Sequence, residues 1–178
     1  SQIILMLGVY EPRKGHDFII QVMEQVVEVL PSVHLLICGY GSKEEIQVVE
    51  NLRLSSRVAK HIHLNEHRTD VHNLLAQAEV LVVPSQSYES FGYTALEAMC
   101  CRVPVVVTNV GGLPEVVKDE VCGYVVNPRN VESFANRLIK ILCDNDLRYR
   151  MGEQGRQLYE INFTADRMAR KYANLICK

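Results

Sequence analysis

A doubly wound, Rossmann-like parallel α/β sheet of about six strands, with helices on both faces, is the fold this sequence predicts. Three observations predict it. Short, wholly apolar runs alternate with helical patterns from end to end, the appearance of strands covered on both faces. The apolar runs are followed by glycine-rich or polar turns, which collect at one edge of such a sheet. The 178 residues carry no linker, internal repeat or low-complexity stretch, so a single core and one domain over 1–178 are expected.

The elements follow in order. Ile3–Leu7 is a buried strand ending at Gly8. From Gly15 to Leu30, apolar residues at Phe18, Ile19, Val22, Met23, Val26, Val27 and Leu30 have helical spacing, and Pro31 stops the helix. Val33–Cys38 is the second strand. Ser42, with Glu45 three residues on, has the capping-box pattern and starts a helix to about Leu54. His61–Leu64 is a weaker strand, and Thr69 or Asp70 caps a short helix through Leu75. Val80–Val83 and Val103–Val107 are the fourth and fifth strands. Gly111 to Val117 reads as a tight turn into a short helix, and Tyr124–Val126 as the sixth strand. From Val131 to Ile176 the chain is helical, with a break near Asp144.

Composition narrows the function. Net charge is -2 and pI about 6.3, which leaves no electrostatic footprint for nucleic acid. No apolar run approaches the ~20 residues that span a bilayer, and the start does not read as a signal peptide. The six cysteines, Cys38, Cys100, Cys101, Cys122, Cys143 and Cys177, have no framework spacing. They read as reduced thiols of a cytoplasmic protein, with Cys38 and Cys122 in the core.

The turns carry the chemistry. Gly8 to Gly15 follows the first strand and includes Arg13 and Lys14; Gly39-Tyr40-Gly41-Ser42 follows the second. Glu89 to Glu97 follows the fourth, and Gly111-Gly112 the fifth. Glycines let backbone N–H groups approach a ligand, a helix amino end favours an anion, and Lys14 adds a point charge. Carboxylates accept hydrogen bonds from sugar hydroxyls. Glu89 on a loop and Glu97 about one and a half turns into the next helix fit one pocket. The residues thus call for a phosphorylated sugar, most economically a sugar nucleotide.

The run Glu89-Ser-Phe-Gly-Tyr-Thr-Ala-Leu-Glu97-Ala-Met resembles the E-x7-E motif of retaining glycosyltransferases of the glycogen-synthase and sucrose-synthase type, family GT4. Leu7-Gly8 through Lys14-Gly15, Pro104 through Glu115, Gly123-Tyr-Val-Val, and Met151-Gly152 through Gly155-Arg156 are similar to that family in the same order. The resemblance implies one half of a GT-B fold: the C-terminal, donor-binding domain, without the N-terminal domain that binds the acceptor. It implies a hexosyltransferase that retains anomeric configuration and is inactive as this isolated domain. The partner is a nucleoside diphosphate sugar of UDP, GDP or ADP form, with no other cofactor and no metal. Membrane attachment, where it occurs in the family, belongs to the missing half.

The same resemblance assigns roles. Glu89 binds donor-sugar hydroxyls and stabilises positive charge at the anomeric carbon. Lys14 neutralises the departing diphosphate, so Glu89 and Lys14 are the catalytic pair. The amides around Phe91, Gly92 and Tyr93, with Thr94, contact sugar and diphosphate, and Glu97 holds the ribose hydroxyls. Gly8, Arg13, Gly39, Gly41 and Leu64 complete the donor site. Three positions depart from the family: Val9 stands where an arginine is usual, Arg102 where a helix-ending glycine is usual, and Asn65 where a glycine is usual near the base. Val9 and Arg102 motivate a rival, a sugar-nucleotide-binding module with impaired catalysis. A sugar-nucleotide epimerase or a phosphorylase is a further GT-B alternative, against which the motif spacing argues.

Plainer readings cover other features. Gly39-Tyr-Gly41 follows the second strand, not the first, and reads as turn geometry rather than a dinucleotide fingerprint. His61, His63 and His67 have no fourth ligand nearby and read as structural. Cys100 and Cys101, late in a helix, read as packing.

Overall fold

The computed structural model describes residues 1–176, apart from the side chains of Lys171 and Leu175; Cys177 lies outside the described residues. Six strands, β1 (Gln2–Leu7), β2 (Val33–Cys38), β3 (Ile62–Asn65), β4 (Val80–Val83), β5 (Val105–Thr108) and β6 (Gly123–Val126), form one sheet in the order β3-β2-β1-β4-β5-β6. Every pairing is parallel. The order reverses direction between β1 and β4, which opens a crevice at their carboxyl ends, where ligands bind in such sheets.

Strand alternation divides the core. Ile4 and Met6 point to one face with Leu35, Ile37, Val82 and Val106. There they meet α1 (His16–Val29) and α6 (Val131–Cys143), whose Phe18 and Phe134 rings meet edge to face at 5.3 Å. Leu5, Leu81, Val83, Val105 and Val107 point the other way. They pack on α3 (Val71–Leu75), α4 (Tyr93–Cys100) and α5 (Leu113–Val116). The α2 helix (Lys43–Ser55) starts on the expected box: the Glu45 N–H donates to Ser42 Oγ at 3.2 Å, and Glu45 Oε2 accepts from the Ser42 N–H at 2.7 Å.

Three details depart from the sequence reading. β5 begins at Val105, two residues late, because Pro104 has no N–H to give the ladder. Asp70 does precede α3, but its carboxylate is taken by Arg68 (2.7 and 2.6 Å) and makes no side-chain cap. The carboxyl-terminal helical stretch breaks twice. Asp144 ends α6 and caps α7 (Asn145–Asn162), and a second break at Phe163 and Thr164 precedes α8 (Ala165–Ile176). Arg102 does sit in left-handed backbone, φ 61°, and Glu153 of α7 holds its guanidinium at 2.7 Å. Cys38 and Cys122 are buried, as read. Among the described residues no helix is long and apolar enough to cross a membrane.

Candidate active site

Four loops bring the predicted groups to the carboxyl edge of the sheet. After β1 the chain makes a short 3-10 turn, Pro12–Lys14, and Gly15 ends it with φ 77°. The aliphatic stem of Lys14 passes over Gly8, and its ammonium reaches across the switch point to the loop after β4. Lys14 Nζ lies 2.6 Å from Glu89 Oε2, although the residues are 75 apart in sequence. Both side chains are largely buried, 16% and 11% exposed. At that depth an ion pair interacts more strongly than on the surface, but it also bears desolvation.

Glu89 is held from several sides. The Ser85 hydroxyl donates to the same carboxylate oxygen at 3.1 Å. Behind Ser85, the buried Thr108 hydroxyl at the end of β5 donates to the Ser85 carbonyl. The Gly112 N–H donates to the Glu89 carbonyl at 3.0 Å. Gly111, at φ 54°, lies so close that a Cβ there would sit 1.9 Å from the Glu89 carbonyl oxygen. Only glycine meets both requirements at 111, and at 112 a Cβ would sit 2.7 Å from the Ser90 carbonyl oxygen. Ser85 and Thr108 were missed in the sequence, where each looks like an ordinary polar residue ending an apolar run.

A cavity of about 330 Å³ lies beside this pair, within the range of ligand pockets. Of the predicted residues, Gly8, Arg13, Lys14, Gly39, Thr94 and Glu97 border it together, and Glu89 adjoins through Lys14. Gly39 allows β1 and β2 to end in contact, since a Cβ would fall 1.6 Å from the Gly8 carbonyl oxygen. At the amino end of α4 the cap is Gly92, φ 88°, with no side-chain acceptor. The first-turn amides of α4 therefore have no side-chain acceptor, and Thr94 of that turn borders the cavity.

Glu97 is exposed as a residue and lines both this cavity and an apolar groove. Burial raises its pKa, opposed by the charge of His72. Arg13 borders the cavity, but its guanidinium is engaged by Glu11 at 2.5 Å and the Tyr88 carbonyl at 3.2 Å. Val9 also lines the cavity and contributes no charge. Arg68, His67 and Tyr40, unanticipated in the sequence, line its far end.

The remaining predicted residues lie elsewhere. Gly41 packs against Tyr10 and Glu45. The Leu64 side chain packs against the core on the α1 side, so only its backbone is available to a ligand. Gly92 supplies backbone, and Phe91 and Tyr93 line an apolar groove of about 870 Å³ with α7 and α8, which shares Glu97 with the cavity. His61 Nδ1 lies 3.0 Å from the Val33 carbonyl, His63 Nε2 lies 3.0 Å from His34 Nδ1, and His67 packs edge-on to Tyr40. Among the described residues no three His, Cys, Asp or Glu side chains converge as a metal site.

Residues 1–158 match the family model described as glycosyl transferases group 1. The chain belongs to that family. A GDP-mannose-dependent monoacylated alpha-(1-6)-phosphatidylinositol monomannoside mannosyltransferase from Corynebacterium glutamicum is 32% identical over 173 residues, covering 93% of this chain and 44% of that protein. The sucrose-phosphate synthase of Thermosynechococcus elongatus superposes with a TM-score of 0.89 at 28% identity, over 99% of this chain and 46% of that one. The Anabaena protein Alr3699/HepE, in complex with UDP, superposes with a TM-score of 0.92 at 19% identity, over 99% and 49%; at that identity the likeness is one of fold. The chain thus spans about half the length of the proteins it matches. The doubly wound sheet and the family expected from the sequence both stand.

Proposed function

We propose that this domain binds the donor, a nucleoside diphosphate sugar, for a retaining glycosyltransferase that moves a hexose to a glycan, lipid or small-molecule acceptor. The observation that carries this reading is the Lys14–Glu89 pair, 2.6 Å apart beside a cavity bordered on its other side by Glu97 and the open amino end of α4. An ammonium and unpaired amides suit a diphosphate. Two carboxylates suit hydroxyls, one set on the sugar and one on the ribose.

In this reading the diphosphate lies over Gly8 and against the first turn of α4, where Lys14 and the Tyr93 and Thr94 amides receive it. Glu97 accepts from the ribose hydroxyls. Glu89, fixed by Ser85 and by the Gly111-Gly112 turn, faces the sugar and stabilises positive charge as the anomeric bond breaks. Lys14 stabilises negative charge on the departing diphosphate, an electrostatic contribution largest in the transition state. The Corynebacterium relative is named for GDP-mannose and the Anabaena neighbour holds UDP, which supports a nucleoside diphosphate and leaves the base open. We place the acceptor-binding half outside this chain, N-terminal to it, so the domain alone binds donor without transferring sugar.

A thermal-shift screen against UDP, GDP and ADP sugars tests the reading, since a ligand of the folded state raises the melting temperature by mass action. A rise with at least one of them, reduced in Glu97→Ala, is expected. A flat panel at millimolar ligand would remove the proposal. Val9 supports a second reading, a binding module with weakened catalysis; a full-length protein that binds donor but neither transfers nor hydrolyses it would favour that version.

A further inference from the structure

Gln86 ties three loops together at the carboxyl edge of the sheet. Its N–H donates to the Arg13 carbonyl at 2.8 Å, its side-chain amide donates to the Pro84 carbonyl at 2.6 Å, and its Oε1 accepts from the Arg129 N–H at 2.8 Å. The third of these bonds reaches the loop between β6 and α6, where Arg129 is held at φ 62°. Arg129 is exposed, and among the described residues its guanidinium has no carboxylate or carbonyl partner. It faces a second cavity, about 600 Å³, whose wall also includes Arg13, Gln21, Gln86 and Ser87, over a floor containing Phe18. Asp17 is the one acidic residue on that wall.

We propose that this cavity is an anion site that receives a phosphate-sized oxyanion. Arg129 supplies an uncompensated planar fork of donors, the geometry that suits phosphate or carboxylate. Gln21 and Ser87 add neutral polar groups to the same wall. Arg13 borders both cavities, and Ser87 is two residues from Glu89. The two cavities therefore share Arg13 as a common wall. The binding of an oxyanion at Arg129 stands apart from the donor-domain reading.

The test titrates inorganic phosphate into the chain at low ionic strength, with backbone amide shifts followed by NMR, first alone and then with UDP present. Binding in the millimolar range is expected, with the largest shifts at Ser87, Arg129 and Gln86, and it persists when UDP is bound. Arg129→Gly removes the guanidinium and suits the left-handed backbone, so the variant folds at least as stably as the parent. It should lose about tenfold in phosphate affinity, the loss of one charge-assisted interaction, and keep its UDP affinity. Phosphate affinity unchanged in Arg129→Gly would overturn the site while leaving the donor reading intact. Displacement of phosphate by UDP would also overturn it, since both would then share one site. A parent chain that binds phosphate at these residues but no nucleoside diphosphate would sink the donor reading and leave the anion site standing.

Discussion

The Lys14–Glu89 pair gives a prediction that can be worked in numbers. Glu89→Gln keeps shape and removes charge; Lys14→Met keeps most of the stem. Exposed ion pairs contribute roughly 0–1 kcal/mol, whereas stranding one partner of a fully buried pair costs about 3–5 kcal/mol. With side chains 16% and 11% exposed, this pair lies between, and each single change should cost about 2 kcal/mol. Once one partner is gone the second change costs little more, so a double-mutant cycle in urea should show a coupling of about 1–2 kcal/mol. The same variants separate structure from binding. Lys14→Met removes a charge-assisted contact worth about 1.5–3 kcal/mol, so UDP should bind at least about tenfold more weakly. Glu89→Gln frees the ammonium from its carboxylate, so UDP affinity should hold or rise. Coupling under about 0.5 kcal/mol, or equal losses of UDP affinity in both variants, would refute the reasoning.

Three further outcomes are expected. His16 is buried without a hydrogen-bond partner on either ring nitrogen, and burial pulls its pKa from 6.5 to about 4. The unfolded chain therefore takes up a proton that the folded chain refuses, and stability that is intact above pH 6.5 falls by roughly 3 kcal/mol as pH drops towards 4. Urea melts of the parent should show this slope and those of His16→Phe should lack it; equal slopes would dismiss His16 as the cause. Burial raises the Glu97 pKa, so nucleotide affinity should weaken on acidification from above the usual carboxylate range. Titrations across pH should show Glu97→Gln weak and flat, and a pH dependence that survives in that variant would assign it elsewhere. Arg102→Gly relieves a left-handed backbone at about 1 kcal/mol and loses the half-exposed pair with Glu153, worth roughly 0–1 kcal/mol. Stability should stay the same or rise slightly, and a loss above about 1 kcal/mol would show that the Glu153 pair is stronger than its exposure implies.

The parts of the fold written in local pattern were legible in the sequence. The apolar runs of β1, β2 and β4, the Ser42–Glu45 box and the stop at Pro31 depend on neighbouring residues only. The β5 start was misplaced because hydrophobicity cannot see that Pro104 lacks a donor for the ladder. The second break, at Phe163 and Thr164, was missed because no proline or glycine marks it. At the site, glycines forced by close approach were readable, but contacts between distant residues were not. That Lys14 pairs with Glu89, that Ser85 and Thr108 brace it, and that Asp70 serves Arg68 instead of a helix amino end all depend on where loops meet. Leu64 shows the same limit: the end of a strand was located, but not which face its side chain takes.

Calorimetric titration of the domain with UDP, GDP and ADP, set beside Lys14→Met, is the most direct measurement of the central claim that an ammonium and two carboxylates at this crevice hold a nucleoside diphosphate sugar. Saturable, weak binding of at least one of the three is expected, lost about tenfold or more when Lys14 is replaced. A folded domain that binds none of them at millimolar concentration, or binds one equally well without Lys14, would contradict it.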